Sequence, residues 1–416
     1  MSKTARLARW SLVLLVCVGL VTLAGCPPSS PSSPSSPSAP SAPAGPAAGA
    51  APPQVTTPSV AGAPADEIAE AGSPGAKEPA GEAASSPCEP LAQSKLLVQL
   101  PADTCNTPDA MCLLPDGNIL LSMPNFNDLS QPSLLMKITP DNEAIEFLKL
   151  PVNDDTGKPL GPLGICVAPS GDLFLADYQM EGDRKSRVMR IVMEEGHPKE
   201  IVPVVVGFHV SNAVVCRDGY LYVSETQIDA EAKPATSGVF RFKLDDLKEA
   251  IIEVATPETD DPHLIATFET FNEELSLGAD GLCFDGDGNL YVANFADGTV
   301  HKLTFDAEGK VTSNEIFAKS ECMKCADGLF FDPETEKIFV ADSKANAVQM
   351  VSLDGSVQTL AKNGDTDGLD GGMDQPCEVL LRGREVIVSN MDWPVPGCIN
   401  SGYSKPCTLS LIELDK

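Results

Sequence analysis

Gly278–Phe305 reads GADGLCFDGDGNLYVANFADGTVHKLTF, and the rest of the chain is organised around it. Gly281–Phe284 is a short apolar run, Asp285-Gly286-Asp287-Gly288 a turn and Leu290–Ala293 a second apolar run. Val300–Phe305 then alternates apolar and polar residues as a half-buried strand does. Strand, tight turn, strand, loop and strand in so short a span predict an antiparallel meander, most of one propeller blade. Asp285-Gly286-Asp287-Gly288-Asn289 also has the opening of an EF-hand loop. Ala296 stands where the closing Glu is required, so the segment reads as a hairpin turn.

The unit recurs. Aligned on its first apolar run, the chain gives DAMCLLPDGNILLS from Asp109, LGICVAPSGDLFLAD from Leu163, NAVVCRDGYLYVSE from Asn212, DGLCFDGDGNLYVAN from Asp280, DGLFFDPETEKIFVAD from Asp327 and EVLLRGREVIVSN from Glu378. Most copies start about fifty residues apart, the period of propeller blades. The longer third-to-fourth interval holds an insertion around Gln227–Pro262, in which Asp245–Ala255 reads equally as a helix or an outer strand. The last copy lacks a fourth strand, whereas the strand-like Lys95–Leu100 precedes the first. The fold expected is therefore all-β: a six-bladed β-propeller of four-stranded blades, its ring closed by an N-terminal strand completing the last blade, with no free sheet edge between the ends.

In a propeller the residue just before each innermost strand points into the central funnel. Those positions are Asp109, Leu163, Asn212, Asp280, Asp327 and Glu378. Four carboxylates and an amide converging on one axis, without His or thiolate, suit a hard cation, Ca²⁺ in particular, and cannot all stay ionised together without one. The plainer reading is that Asp and Asn serve the tight approach to each inner strand. His197, His209, His263 and His301 share no metal-ligand spacing and none falls on the ring; a Gly-x-Ser-x-Gly nucleophile motif is also absent.

The repeat resembles the gluconolactonase/regucalcin and NHL-repeat group of six-bladed propellers across essentially the whole domain. Asp280–Asp285 followed by Asn289–Ala293 is similar to that group's DGMC-D…KLWVA segment, and Asn363–Glu378, NGDTDGLDGGMDQPCE, resembles the acidic Gly-rich connection into an NHL blade. The resemblance implies a catalytic metal held by Glu378, Asn212 and Asp280. Asn212 is followed by Ala rather than Gly, and Leu163 stands where the family often presents a polar substrate contact. It further implies lactone or ester hydrolysis with Asp280 as ligand and base, and with Asp109 and Asp327 tuning the surrounding charge. The alternative is a non-catalytic propeller that recognises an envelope protein or glycan, any Ca²⁺ being structural.

The ends of the chain speak to location. Lys3, Arg6 and Arg9 precede an apolar run, Leu12–Leu23, too short to span a bilayer as a mature helix, which reads as a signal peptide. Leu23-Ala24-Gly25-Cys26 resembles the lipobox of bacterial lipoproteins, which implies cleavage before Cys26, acylation of its thiol and anchoring in the cell envelope. Pro27 after the Cys implies the outer membrane. Residues 26–86 are rich in Pro, Ser, Ala and Gly without an aromatic and read as a disordered tether. It spans on the order of 40 Å by random-coil scaling. The domains expected are thus 1–25, 26–86 and 87–416. The net charge is −30, and leader and tether carry four cations against five carboxylates, so nearly all of it belongs to the domain. That balance argues against nucleic acid as a partner.

Cys112, Cys166, Cys216 and Cys283 occupy one equivalent place in successive inner strands and read as small apolar core residues rather than a thiolate ring. Of the remaining loop cysteines, Cys398 with Cys407 is the first disulfide candidate, and Cys322 and Cys325 pair internally or with neighbouring loops. The loop Met391–Cys407 connects the second and third strands of the last blade, on the face of the acidic ring. Its Trp393 and Tyr403 either stack on a sugar-like ligand or pack the loop itself.

Overall fold

The computed structural model describes Ser86 and residues 88–180 and 183–414. The leader, Cys26 and all of the tether but Ser86 lie outside the described residues. The alternation in Gly278–Phe305 is realised as strands Ala279–Phe284, Leu290–Asn294 and Thr299–Phe305, with Val311–Lys319 outermost. The turn forms because Asp285 Oδ1 accepts the Asp287 and Asn289 amides (3.0 and 2.9 Å), while Gly288 takes φ +89°, which a side chain resists.

Five more sheets repeat this order, with inner strands at Met111–Leu113, Pro162–Val167, Ser211–Arg217, Leu329–Asp332 and Pro376–Arg382. In chain order the six sheets are blades 1 to 6. Lys95–Gln99 pairs antiparallel with Thr408–Glu413, Lys95 opposite Leu411, and completes blade 6 as its outer strand. The core lies between neighbouring blades. Phe174, Val205 and Phe208 of blade 2 meet Leu221, Phe240 and Phe242 of blade 3, and the Phe208 and Phe240 rings sit edge to face at 5.2 Å. Full burial of each such ring is worth about 2–3 kcal/mol. Cys112, Cys166, Cys216 and Cys283 belong to these interblade clusters, as small core residues should.

Two details differ from the sequence-based expectation. Asp246–Glu249 forms a helical turn and Ile252–Glu253 a short strand. That strand joins blade 2, parallel to Val205–Val206, whereas the outer strand of blade 3 is Leu264–Thr270. Leu247 and Val254 are buried in the blade 2–3 cluster, so apolar contact carries the insertion backwards over its predecessor. Cys322 is bonded to Cys88, and Cys325, Cys398 and Cys407 are free thiols. The N-terminal arm runs beside blade 5, where the Ala92 amide donates to Leu360 O (2.8 Å), and this brings Cys88 to Cys322 before Cys325.

Candidate metal centre

The axis is built by an irregularity of the inner strands. In blades 2, 3, 4 and 6 the ladder slips between Pro162 and Ile165, Ser211 and Val214, Ala279 and Leu282, and Pro376 and Glu378. Leu163, Asn212 and Asp280 fall inside these bulges and Glu378 at the edge of one. A bulge re-aims a side chain without ending the strand. Blades 1 and 5 reach the same place just ahead of their strands, the Asp109 and Asp327 amides each bonding the second strand at 3.0 Å.

The following residue is small, and the close approach of the strands requires it. A Cβ on Gly281 would stand 2.3 Å from Asp327 O, and one on Gly328 2.2 Å from Glu378 Oε1. Ala213 supplies the equivalent place in blade 3. Asp109, Asn212, Asp280, Asp327 and Glu378 therefore line one cavity of about 20 Å³, room for a single water-sized particle. Leu163 is buried and absent from the lining, where its blade contributes Gly164.

The electrostatics follow from that convergence. Burial pushes Asp109 up to about 7, against the Cys377 thiol hydrogen bond. Burial, then the Asp109 charge, holds Asp280 well above the usual carboxylate range, opposed by the Asn212 amide. Asp327 is raised by burial and by Asp280 and Asp109, and Glu378 by burial and then by Asp109 and Asp280, against its bond from the Val379 amide. Ser343 Oγ lies 2.7 Å from both Asp327 Oδ2 and Pro376 O. One hydroxyl proton cannot serve two acceptors, so when Ser343 donates to Pro376 the Asp327 contact is satisfied by a protonated Asp327. Crowding of these carboxylates disfavours their charged forms unless a cation joins them; the donor set, hard oxygens confined around an ion-sized space, fits Ca²⁺.

Sequence reasoning located the ring but missed its supports. Thr226 Oγ1 donates to Ala279 O (2.8 Å) and accepts from Asn212 Nδ2 (3.3 Å), and Ser343 touches Asp327 and the first residue of blade 6. Both follow a buried acid of a second strand, Glu225 within Tyr220–Asp229 and Asp342 at the end of Lys337–Asp342. A small hydroxyl directly after an acid, Glu225-Thr226 and Asp342-Ser343, is the signal that was legible. Trp393 is half-buried against Phe126 of the blade 1 loop, ring centroids 5.1 Å apart, so its contact is packing. Tyr403 is 37% exposed, with Lys405 Nζ 6.0 Å from its ring.

A six-bladed propeller with an acidic axis is the class that fold and site define. No protein-family model matches the chain, and no curated protein matches it in sequence. Solved structures do. A luciferin-regenerating enzyme is 14% identical over 78% of this chain and 96% of its own, TM-score 0.52. A Thermus thermophilus protein assigned as an oxidoreductase (glucose dehydrogenase) is 14% identical over 77% and 99%, TM-score 0.50. A gluconolactonase of Xanthomonas campestris is 14% identical over 78% and 90%, TM-score 0.49. At such identity the likeness to the first two structures shows a shared fold alone.

Proposed function

We propose that the chain is a divalent-cation-dependent hydrolase of lactones or related esters, tethered to the bacterial cell envelope through an acylated Cys26. The observation that carries the reading is the convergence of Asp109, Asn212, Asp280, Asp327 and Glu378 on a cavity sized for one ion. Glu378, Asn212 and Asp280 would hold Ca²⁺, and Asp109 and Asp327 balance its charge. When bound, such a cation supplies a Lewis acid for a carbonyl oxygen and lowers the pKa of water. The chain supplies the rest. Asn212 donates to Thr226 and so keeps its carbonyl oxygen free for the axis. Asp280, at the centre of the mutual repulsion, accepts the proton released by the attacking water. The Ser343 hydroxyl fixes the orientation of Asp327.

The test follows Ca²⁺ binding and hydrolysis of aldonolactones, acyl lactones and phosphotriesters by the full chain. The expected result is Ca²⁺-dependent turnover, reduced at least about a hundredfold in Asp280→Asn, the range for loss of an acid–base group, with weakened Ca²⁺ binding in Glu378→Gln. Absence of any Ca²⁺ effect on stability or on Trp393 emission would remove the metal site. Binding without turnover would favour a propeller that recognises a glycan or protein.

A further inference from the structure

His209, Glu225 and Glu258 are far apart in sequence but meet on the face from which the inner strand of blade 3 starts. One ligand atom from each lies within 4.8 Å of the other two. His209 precedes that inner strand, Glu225 lies within the second strand opposite Ser211, and Glu258 is carried in by the insertion on the turn Glu258–Asp260. Glu225 and Glu258 are buried, at 0% and 2% exposure, and His209 is half-buried.

The contacts divide into filled and open valences. Glu225 accepts the His209 and Val210 amides at 2.9 and 2.8 Å, which aims its carboxylate. Glu258 Oε1 accepts from Arg184 Nη1 at 2.8 Å, and Asp183 Oδ1 faces His209 Nε2 at 3.0 Å. His209 Nδ1 is 2.6 Å from Glu258 Oε1, at ion-pair distance, while Glu258 Oε2 is buried without a hydrogen-bond partner. Such atoms cost stability unless something else satisfies them.

We propose that His209, Glu225 and Glu258 form a second cation site, for a divalent transition metal such as Zn²⁺, that pins the insertion to the root of blade 3. One imidazole with two carboxylates is borderline in softness, which selects this class over Ca²⁺ or Mg²⁺. The surroundings are those a metal site needs. Asp183 Oδ1 stands 3.0 Å from Nε2 on the outer side of the ring, and Arg184 holds Glu258 Oε1, which leaves the unpartnered Oε2 as the open ligand oxygen. Arg184 also donates to Val254 O and Ala255 O (2.7 and 3.0 Å), so the same side chain ties the site to the inserted segment.

Co²⁺ reports the site. The full chain, stripped of metal by chelation and held in excess Ca²⁺ to fill oxygen sites, takes up one equivalent with visible d–d absorption. Diethyl pyrocarbonate modification of His209, read by mass spectrometry, falls at least about tenfold with Co²⁺ or Zn²⁺, as loss of a free imidazole lone pair demands, while exposed His197 is unaffected. His209→Gln abolishes the absorption and Asp280→Asn retains it, which separates this site from the axis. No absorption up to millimolar Co²⁺, unchanged modification of wild-type His209, or a wild-type spectrum in His209→Gln would each overturn the assignment. The wild-type protection measurement decides even if the variant does not fold.

Discussion

Asp374 and Asp392 share one hydroxyl. Their Oδ2 atoms lie 3.2 and 3.3 Å from Ser404 Oγ, and Asp374 also contacts Asn400. Burial pushes Asp374 up to about 7 with help from Asp367 and Asp365, and burial followed by the Asp374 charge pushes Asp392 up to about 8. Unfolded, both carboxyls release their protons near pH 4. Between about pH 4 and 8 the folded chain therefore binds more protons than the unfolded one, and stability falls as pH rises through that window. In EDTA, the thermal midpoint is expected to drop from pH 5 to 8.5, less steeply in the Asp374→Asn/Asp392→Asn double variant. Parallel slopes would show that this pair does not titrate there.

At the scale of the element, the turn of blade 4 hangs on one side chain. Asp285 is 4% exposed and, besides the two turn amides, accepts from Asn289 Nδ2 (2.7 Å) and the buried Tyr291 hydroxyl (3.1 Å). Asp285→Ala is expected to cost about 2–3 kcal/mol, since it strands a buried hydroxyl as well as losing net hydrogen bonds. Urea unfolding measures it, and a change within experimental error would show that water replaces the carboxylate. The turn was readable because Asp-Gly-Asp-Gly acts locally. The fifth strand of blade 2 was not: two residues, Ile252–Glu253, pair in parallel with a strand far upstream, and no periodicity is set over so short a run. The ring residues were legible from their constant offset to a repeated apolar run. The bulges that aim them arise from cross-strand register, which a single strand's sequence does not carry.

For the whole molecule, the N-terminal arm is a strap fastened twice, by the Cys88–Cys322 bond and by Lys95–Gln99 in blade 6. Strand closure was visible in the count of strands per copy; the disulfide partner was not, because it lies 234 residues away. Cross-linking so long a loop restricts the unfolded chain strongly, so Cys88→Ser is expected to lose about 2–5 kcal/mol. Its melting should then be indifferent to a reductant that lowers the wild-type midpoint to the same value. A wild type equally indifferent would mean that the strand alone holds the ring.

The bulges carry a further consequence. A residue turned out of the ladder gives the axis its chemistry while its neighbours keep the sheet's register, so a substitution there rewrites a ligand without rewriting a strand. The funnel is in that sense a keyed lock whose pins are cut separately from its barrel. Asn212, Asp280 and Glu378 are such pins, each cut in a bulge of its own blade, whereas Leu163 is turned away from the lining and leaves Gly164 to face the axis.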